Sequence, residues 1–221
     1  MATHHRGLAA LRQVPAQVRA GVSRGSAQRE RRPMRNIAII GTGRVGRAVG
    51  AALTAAGYRV AYGSRTPGAG SLGVTEALVG SDVIVVATPP AAARDFARDH
   101  GSALAGTLVL DATNDVMAVP ANAAAAFAEH APKSRYARVF NSVGTEVLID
   151  PLFDGDPADM YYSCAPADQT QVDELITAVG LRPVYVGDQA YDVVDGVMRL
   201  WLTLAMGQGH GRDIAFRLVT R

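Results

Sequence analysis

A single cysteine, a single lysine and a single tryptophan stand in a chain of 221 residues, and aromatic residues make up only 6% of it. One cysteine, Cys164, excludes an internal disulfide and any cysteine-rich metal site. Set in a strand-like stretch beside Tyr161 and Tyr162, it reads as core filling rather than as a nucleophile. The five histidines (His4, His5, His100, His130 and His210) are scattered, so no metal-ligand spacing appears. No apolar run approaches the roughly 18 residues that a membrane-crossing helix needs. The longest are short stretches such as residues 83–87. These absences predict a soluble, cytoplasmic protein without a metal or a membrane partner. The length suits one sizeable core, or a nucleotide-binding domain with a modest appendage.

The formal charge of +2 is unevenly placed: residues 1–33 carry seven arginines against one acid, Glu30, which leaves the rest of the chain at −4. Such an arm has three readings: a nucleic-acid or anionic-surface tail, a targeting peptide, or an extension with no fold of its own. Arginine outnumbers lysine 21 to 1 along the whole chain, which reflects genome composition more than a binding surface. The expectation is therefore a disordered Arg-rich extension over 1–33 and no nucleic-acid partner. Met34-Arg35 directly precedes the first strand-like run, as a translation start would.

From there strands and helices alternate. Residues 36–40 form a short apolar run stopped by glycine, and over 44–56 Val45, Val49, Ala52, Leu53 and Ala56 recur at helical spacing before Gly57. Strands are expected over 59–62, 83–87, 107–110, 136–140, 160–164 and 183–186, with a remnant strand at 72–74. Helices are expected over 91–100, 121–130 and 169–179, a one- or two-turn helix is capped by Thr75, and a last helical region runs over 190–221, interrupted near 207–211. This alternation implies an α/β fold, an open, doubly wound, mostly parallel sheet with a small C-terminal helical extension. Two parts are expected: a nucleotide-binding domain over 34–150 and a smaller α/β region over 151–221 that completes the substrate cleft.

The first turn carries the strongest motif, Gly41-Thr42-Gly43-Arg44-Val45-Gly46. G-x-G-x-x-G alone is weak, but here it follows a buried strand, opens a patterned helix and begins the first βαβ unit, as a Rossmann-type dinucleotide site requires. Gly41 allows the tight turn, Gly43 the approach of a pyrophosphate, and Gly46 the packing of helix on strand, while the helix N-terminus offers unpaired N–H groups to the anion. After the second strand, where an NAD site places an acid on the ribose, stand Ser64 and Arg65. A hydroxyl donor and a forked guanidinium suit a 2′-phosphate, which favours NADP, and Arg44 could assist.

These strings, with Gly63-Ser64-Arg65-Thr66-Pro67, resemble the NADPH-dependent reductases of the deazaflavin coenzyme F420. Residues 81–89, Asp111-Ala112-Thr113-Asn114, residues 138–144 and 209–218 resemble later segments of the same family in the same order. The scaffold is also similar to the cytoplasmic domain of iron-reducing membrane proteins. The resemblance implies an NADP site formed by Thr42, Gly43, Arg44, Val45, Ser64 and Arg65, with Thr88, Pro89, Asn114 and Asn141 near the ribose and nicotinamide. It implies a deazaflavin or flavin as second cofactor against the nicotinamide face. The stretch between Arg65 and Asp82 is shorter than the pattern, so the usual helix before the third strand is missing and the wall beside the adenine is thinned.

Carbonyl reduction would need a proton donor within reach of the developing alkoxide. The sole lysine, Lys133, lies in a loop before a strand, no histidine ends an expected strand, and Tyr161, Tyr162 and Tyr191 read better as packing residues. Hydride passage between two flat rings needs mainly alignment. No catalytic side chain is therefore assigned, and the expected activity is hydride transfer between NADP(H) and a deazaflavin or flavin-like acceptor. A small-carbonyl dehydrogenase and a non-catalytic NADP sensor are the alternatives. Asn114 and Asn141 each follow an apolar strand and could hold the nicotinamide half, or could be turn residues. Met198 and Trp201 mark an apolar helix face suited to a core or a homodimer contact.

Overall fold

The computed structural model describes residues 35–221; the Arg-rich arm expected to lack a fold lies outside them. In chain order the elements are β1 (Asn36–Ile40), α1 (Arg44–Ala55), β2 (Arg59–Ser64), β3 (Leu72–Gly73), α2 (Val74–Leu78), β4 (Val83–Val86), α3 (Pro90–His100), β5 (Leu108–Asp111), α4 (Ala124–His130), β6 (Arg135–Arg138), α5 (Thr145–Ile149), β7 (Leu152–Phe153), β8 (Asp156–Pro157), β9 (Asp159–Cys164), α6 (Gln169–Ala178), β10 (Arg182–Tyr185) and α7 (Tyr191–Leu202). Eight strands form one sheet in the order β10-β9-β6-β5-β4-β1-β2-β3, and β7 and β8 form a separate small hairpin. The six strands β3-β2-β1-β4-β5-β6 run parallel; β9 joins β6 antiparallel, and β10 follows β9 in parallel.

The core divides by the two-residue period of the strands. Ile37 and Ile39 face one layer with Val49 and Leu53 of α1 and Val172 and Ile176 of α6. Ala38 and Ile40 face the other, with Ala93 and Phe96 of α3 and Phe127 of α4. Strands buried on both faces read as continuous apolar runs, which is why β1, β4 and β5 are legible in the sequence. Among the described residues no helix is long and apolar enough to cross a membrane.

Several elements depart from expectation. Helix α4 begins at Ala124 rather than 121; the Ala121 carbonyl accepts from Asp115 N at 2.9 Å instead of from a following helical turn, and the N–H groups of Ala121 and Ala123 donate to the carboxylates of Asp195 and Asp111. Strand β6 stops at Arg138, two residues early, and Phe140 lies at φ 60°. The last helix does not resume toward Arg221: α7 passes through a π turn at Thr203–Gly207, then Gly209 and Gly211 take φ of 75° and 79° and the tail runs without regular structure. That tail is strapped down instead, as Trp201 Nε1 donates to Ile214 O at 2.9 Å and Arg182 Nη2 donates to Leu218 O at 2.7 Å. Helix α2 starts at Val74 rather than Glu76 and is only five residues long, in keeping with the short stretch before β4.

Cys164 is fully buried at the end of β9, as expected of a packing residue. Burial pushes its thiol up to about 12. Native protein should therefore resist maleimide at pH 8 and label fully once denatured; rapid labelling of the folded chain would contradict this burial.

Candidate functional site

The order of the sheet reverses between β1 and β4, whose C-terminal ends lie side by side, and such a switch point leaves a crevice for a ligand. Gly41 leaves β1 at φ 115°, and a Cβ on it would sit 2.3 Å from Ala87 O. The turn is fixed from both sides: Gly41 N donates to Gly63 O at 3.1 Å, and Ala87 N donates to Ile40 O at 2.9 Å. A Cβ on Gly46 would meet Gly41 O at 2.3 Å, so this glycine lets α1 close onto the turn. Gly43 differs. It is the N-cap of α1 with ordinary φ of −74°, and a Cβ there would meet nothing within 4 Å. No side chain caps α1, so its first N–H groups point into the open space in front of Gly43.

That space belongs to a cavity of about 340 Å³. The cavity brings together seven of the expected residues: Gly41, Thr42, Gly43, Ser64, Arg65, Thr88 and Pro89. Ser64 shapes the turn that presents Arg65, because its hydroxyl donates to Thr66 O at 3.0 Å and accepts from Thr66 N at 3.2 Å. Arg65 is exposed, and no hydrogen bond or ion pair among the described residues holds its guanidinium. The helix expected to be missing is present as the short α2, whose Val74 lines the cavity, and α3 supplies the facing wall with Asp95, Phe96 and Asp99; His100 reaches the same wall and packs on Phe96 at 5.3 Å between ring centroids. A roomier cavity of about 560 Å³ beside α4 is lined by none of the expected site residues, so size does not decide the assignment.

Five expected residues lie elsewhere. Val45 packs against the core and Gly46 is buried behind the loop. Arg44 turns away from the cavity and donates to Glu146 Oε1 at 2.8 Å. Glu146 stands at the start of α5 and also accepts from Arg212 of the tail at 3.2 Å. Its own backbone N–H does most to hold this carboxyl below its ordinary value; burial opposes, and the two guanidiniums add to the lowering. Arg212 in turn lies over the ring of Trp201 at 5.5 Å.

Asn114 and Asn141 form a second group at the C-terminal ends of β5 and β6. Asn114 Nδ2 donates to Asn141 O at 2.9 Å, and Asn114 Oδ1 accepts from Arg138 Nη2 at 3.0 Å. Asn141 is 2% exposed, and neither its Nδ2 nor its Oδ1 has a partner among the described residues. A buried unpaired amide costs about 1–3 kcal/mol per group, and Phe140, immediately before it, occupies the left-handed region at φ 60°. Strain next to an orphaned polar group is characteristic of a site awaiting a ligand.

Beneath the asparagines lies a polar cluster with no assigned place in the sequence reading. Arg138 is completely buried, and its Nε donates to Asp195 Oδ1 at 2.9 Å, across from α7. Asp111 accepts from Thr113 N at 2.8 Å, from Ala123 N at 2.9 Å and from the Tyr136 hydroxyl. Burial first, and then the charge of Asp111, raise Tyr136 well above its ordinary value, so the phenol stays protonated and donates. The available signal was a charge at core-facing positions: an arginine ending an apolar strand, and an aspartate between Val194 and Val197 on an apolar helix face. The three tyrosines weighed as proton donors are committed elsewhere: Tyr162 donates to Asp173, Tyr161 to Asp159 at 3.5 Å, and Tyr191 packs edge-on against Tyr136.

Residues 36–115 match the family described as NADP oxidoreductase, coenzyme F420-dependent. No match is found among curated proteins. Among solved structures, a protein from Arthrobacter sp. FB24, provisionally described as an F420-dependent NADP reductase, superposes with a TM-score of 0.73 at 20% identity, covering 83% of this chain and 99% of its own. A hypothetical protein from Sinorhizobium meliloti gives 0.63 at 24% identity over 85% and 97%. A pyrroline carboxylate reductase from Plasmodium falciparum, solved with NADP bound, gives 0.54 at 14% identity over 79% and 68%. At these identities the structures establish the shared fold.

Proposed function

We propose that this chain, whose residues 36–115 match the coenzyme F420-dependent NADP oxidoreductase family, transfers hydride between NADP(H) and a deazaflavin or flavin ring. The observation that carries this reading is the buried Asn141 amide left without a protein partner on the same C-terminal edge of the sheet as the phosphate cradle. A carboxamide offers one donor edge and one acceptor edge, and the carboxamide of a nicotinamide is its complement. The residues present fit the cofactor: open space in front of Gly43 and the α1 N-terminus for the pyrophosphate, and a free Arg65 for the 2′-phosphate. Bound there, the nicotinamide supplies or takes up the hydride.

What the chain contributes is placement. Gly41 and Gly46 hold the turn, Gly43 with the first N–H groups of α1 receives the diphosphate, and Thr88 and Pro89, after β4, stand in the order of the sheet between that turn and the asparagines after β5 and β6. Arg44, held by Glu146, contributes positive charge beside the loop rather than a direct grip. The three tyrosines weighed as acids are engaged elsewhere, Tyr161 with Asp159, Tyr162 with Asp173 and Tyr191 against the Tyr136 ring, in keeping with transfer between two rings that need alignment more than acid catalysis.

The test is stopped-flow absorbance of the purified protein with NADPH, offering coenzyme F420, flavin mononucleotide and a ferric chelate as separate acceptors. Fast oxidation with the deazaflavin is expected. Arg65→Ala should weaken NADPH binding roughly ten- to a hundred-fold, since one charged hydrogen bond contributes about 1.5–3 kcal/mol, and should leave NADH binding unchanged. Tight NADPH binding with no oxidation by any acceptor would instead make the protein a sensor.

A homodimer through the outer face of α7 is part of the same proposal; Met198 and Trp201, the face read as core or dimer contact, are 1% and 5% exposed and belong to the core. Val193 and Leu200 are about half exposed on that outer face, and Met117 and Val119 are 92% and 89% exposed on the adjoining loop. Arg199 holds that loop against the helix by donating to the carbonyls of Val116, at 3.4 Å, and Ala118. Light scattering should give twice the chain mass at micromolar concentration; a monomer's mass removes the dimer.

A further inference from the structure

We infer that Arg138 and Asp195 act as a buried positioning relay that sets the orientation of Asn114, and through it Asn141, for the nicotinamide half of the cofactor. This rests on the placement of those asparagines in the proposed function. The guanidinium of Arg138 is fully buried, and its donors are divided among three parts of the fold. Nε and Nη2 grip Asp195 Oδ1 at 2.9 and 2.8 Å, Nη1 donates to the carbonyls of Asp111, at 3.2 Å, and Thr113, and Nη2 donates to Asn114 Oδ1 at 3.0 Å.

A guanidinium has donors and no acceptor. Asn114 can therefore present only its oxygen to Arg138, which turns its NH₂ toward Asn141 O at 2.9 Å. The opposite amide orientation would set donor against donor and leave the Asn141 carbonyl unpaired. Arg138 itself cannot swing, because the second oxygen of Asp195 is tied to Ala121 N at 2.9 Å and to Asn122 Nδ2 at 2.8 Å. The anchor of the relay thus sits on α7, while its output is the backbone of Asn141, whose side-chain amide is buried and unpartnered just after the strained Phe140.

A purely structural role and a positioning role predict different ligand selectivity. If the pair only ties α7 to the sheet, altering it lowers stability and affects every ligand of the cleft alike. If it positions Asn114 and Asn141, ligands that end at the diphosphate are spared and ligands that carry a nicotinamide are not.

The experiment is calorimetric titration of the full chain with NADPH and with 2′-phospho-ADP-ribose, which has the same adenosine end and diphosphate but no nicotinamide. Arg138→Lys keeps the charge yet lacks the planar fork that reaches Asp195 and Asn114 together. Its Kd for NADPH should rise tenfold or more, with that for 2′-phospho-ADP-ribose within twofold of the parent. Equal weakening of both ligands, or of neither, overturns the relay. Should Arg138→Lys fail to fold, Asp195→Asn serves in its place with the same selective loss expected and the same outcomes overturning it. Asn141→Ala separates the two levels. If it leaves NADPH binding intact, the placement of the nicotinamide is wrong and the relay falls with it. If it weakens NADPH selectively while Arg138→Lys and Asp195→Asn do not, the relay alone is wrong.

Discussion

Replacing Gly43 with threonine should leave the unliganded protein as stable as the parent and reduce NADPH binding by a hundredfold or more. Its φ of −74° and ψ of −176° are open to any L-residue, and a Cβ there meets no atom within 4 Å. Threonine is also as good an N-cap as glycine, so the melting temperature should hold. The added side chain would fill the space in front of the α1 N-terminus and compete for its N–H groups. Losing two charge-assisted hydrogen bonds at about 1.5–3 kcal/mol each accounts for the expected factor. Gly41→Ala should behave in the opposite manner, losing fold and binding together, since its φ of 115° and the 2.3 Å approach to Ala87 O leave no room. Thermal melts and NADPH fluorescence titration of both variants decide the matter. A Gly43→Thr protein that binds NADPH normally would mean the diphosphate does not lie there.

Asp195→Ala carries the largest expected effect on stability, a loss of about 3–5 kcal/mol. The substitution leaves the guanidinium of Arg138 fully buried without the carboxylate that faces it, and strands the N–H of Ala121 and the amide of Asn122. At roughly 2–4 °C per kcal/mol for a domain of this size, the melting temperature should fall by about 10 °C. Urea unfolding checks the value directly. A loss under about 1 kcal/mol, the scale of an exposed ion pair, would show that water relieves the buried charge.

Legibility in the sequence followed the range of the interactions. The β1–turn–α1 unit is specified within twenty residues, 36–55, by an apolar run, three glycines and a helical stripe, and its turn takes the shape those residues predict. The turn bearing Ser64 and Arg65 is equally local. Arg44 illustrates the limit: the motif sets it beside a phosphate, while the fold hands its guanidinium to Glu146, 102 residues away. The Arg138–Asp195 pair spans 57 residues, and no period or spacing announces such a partner. Helix α5, five residues long, is too short for a helical stripe to show. The tail over 208–221 has helical composition, but two left-handed glycines and the hydrogen bonds to Trp201 and Arg182 settle its path instead.

The reversal of direction between β6 and β9 has a modular corollary. Because β9 and β10 run opposite to the other strands, their C-terminal ends open at the far edge of the sheet, and the edge that carries the candidate site is formed by the C-terminal ends of the first six strands. The last third of the chain reaches that edge through Asp195 and Arg199 of α7 and Arg212 of the tail. A protein assembled in this way has a cradle shaped by its own local turn and a cover attached to it at a few points. Substitutions on the outer surface of α7 should therefore leave the glycine turn with the contacts to Gly63 and Ala87 that shape it.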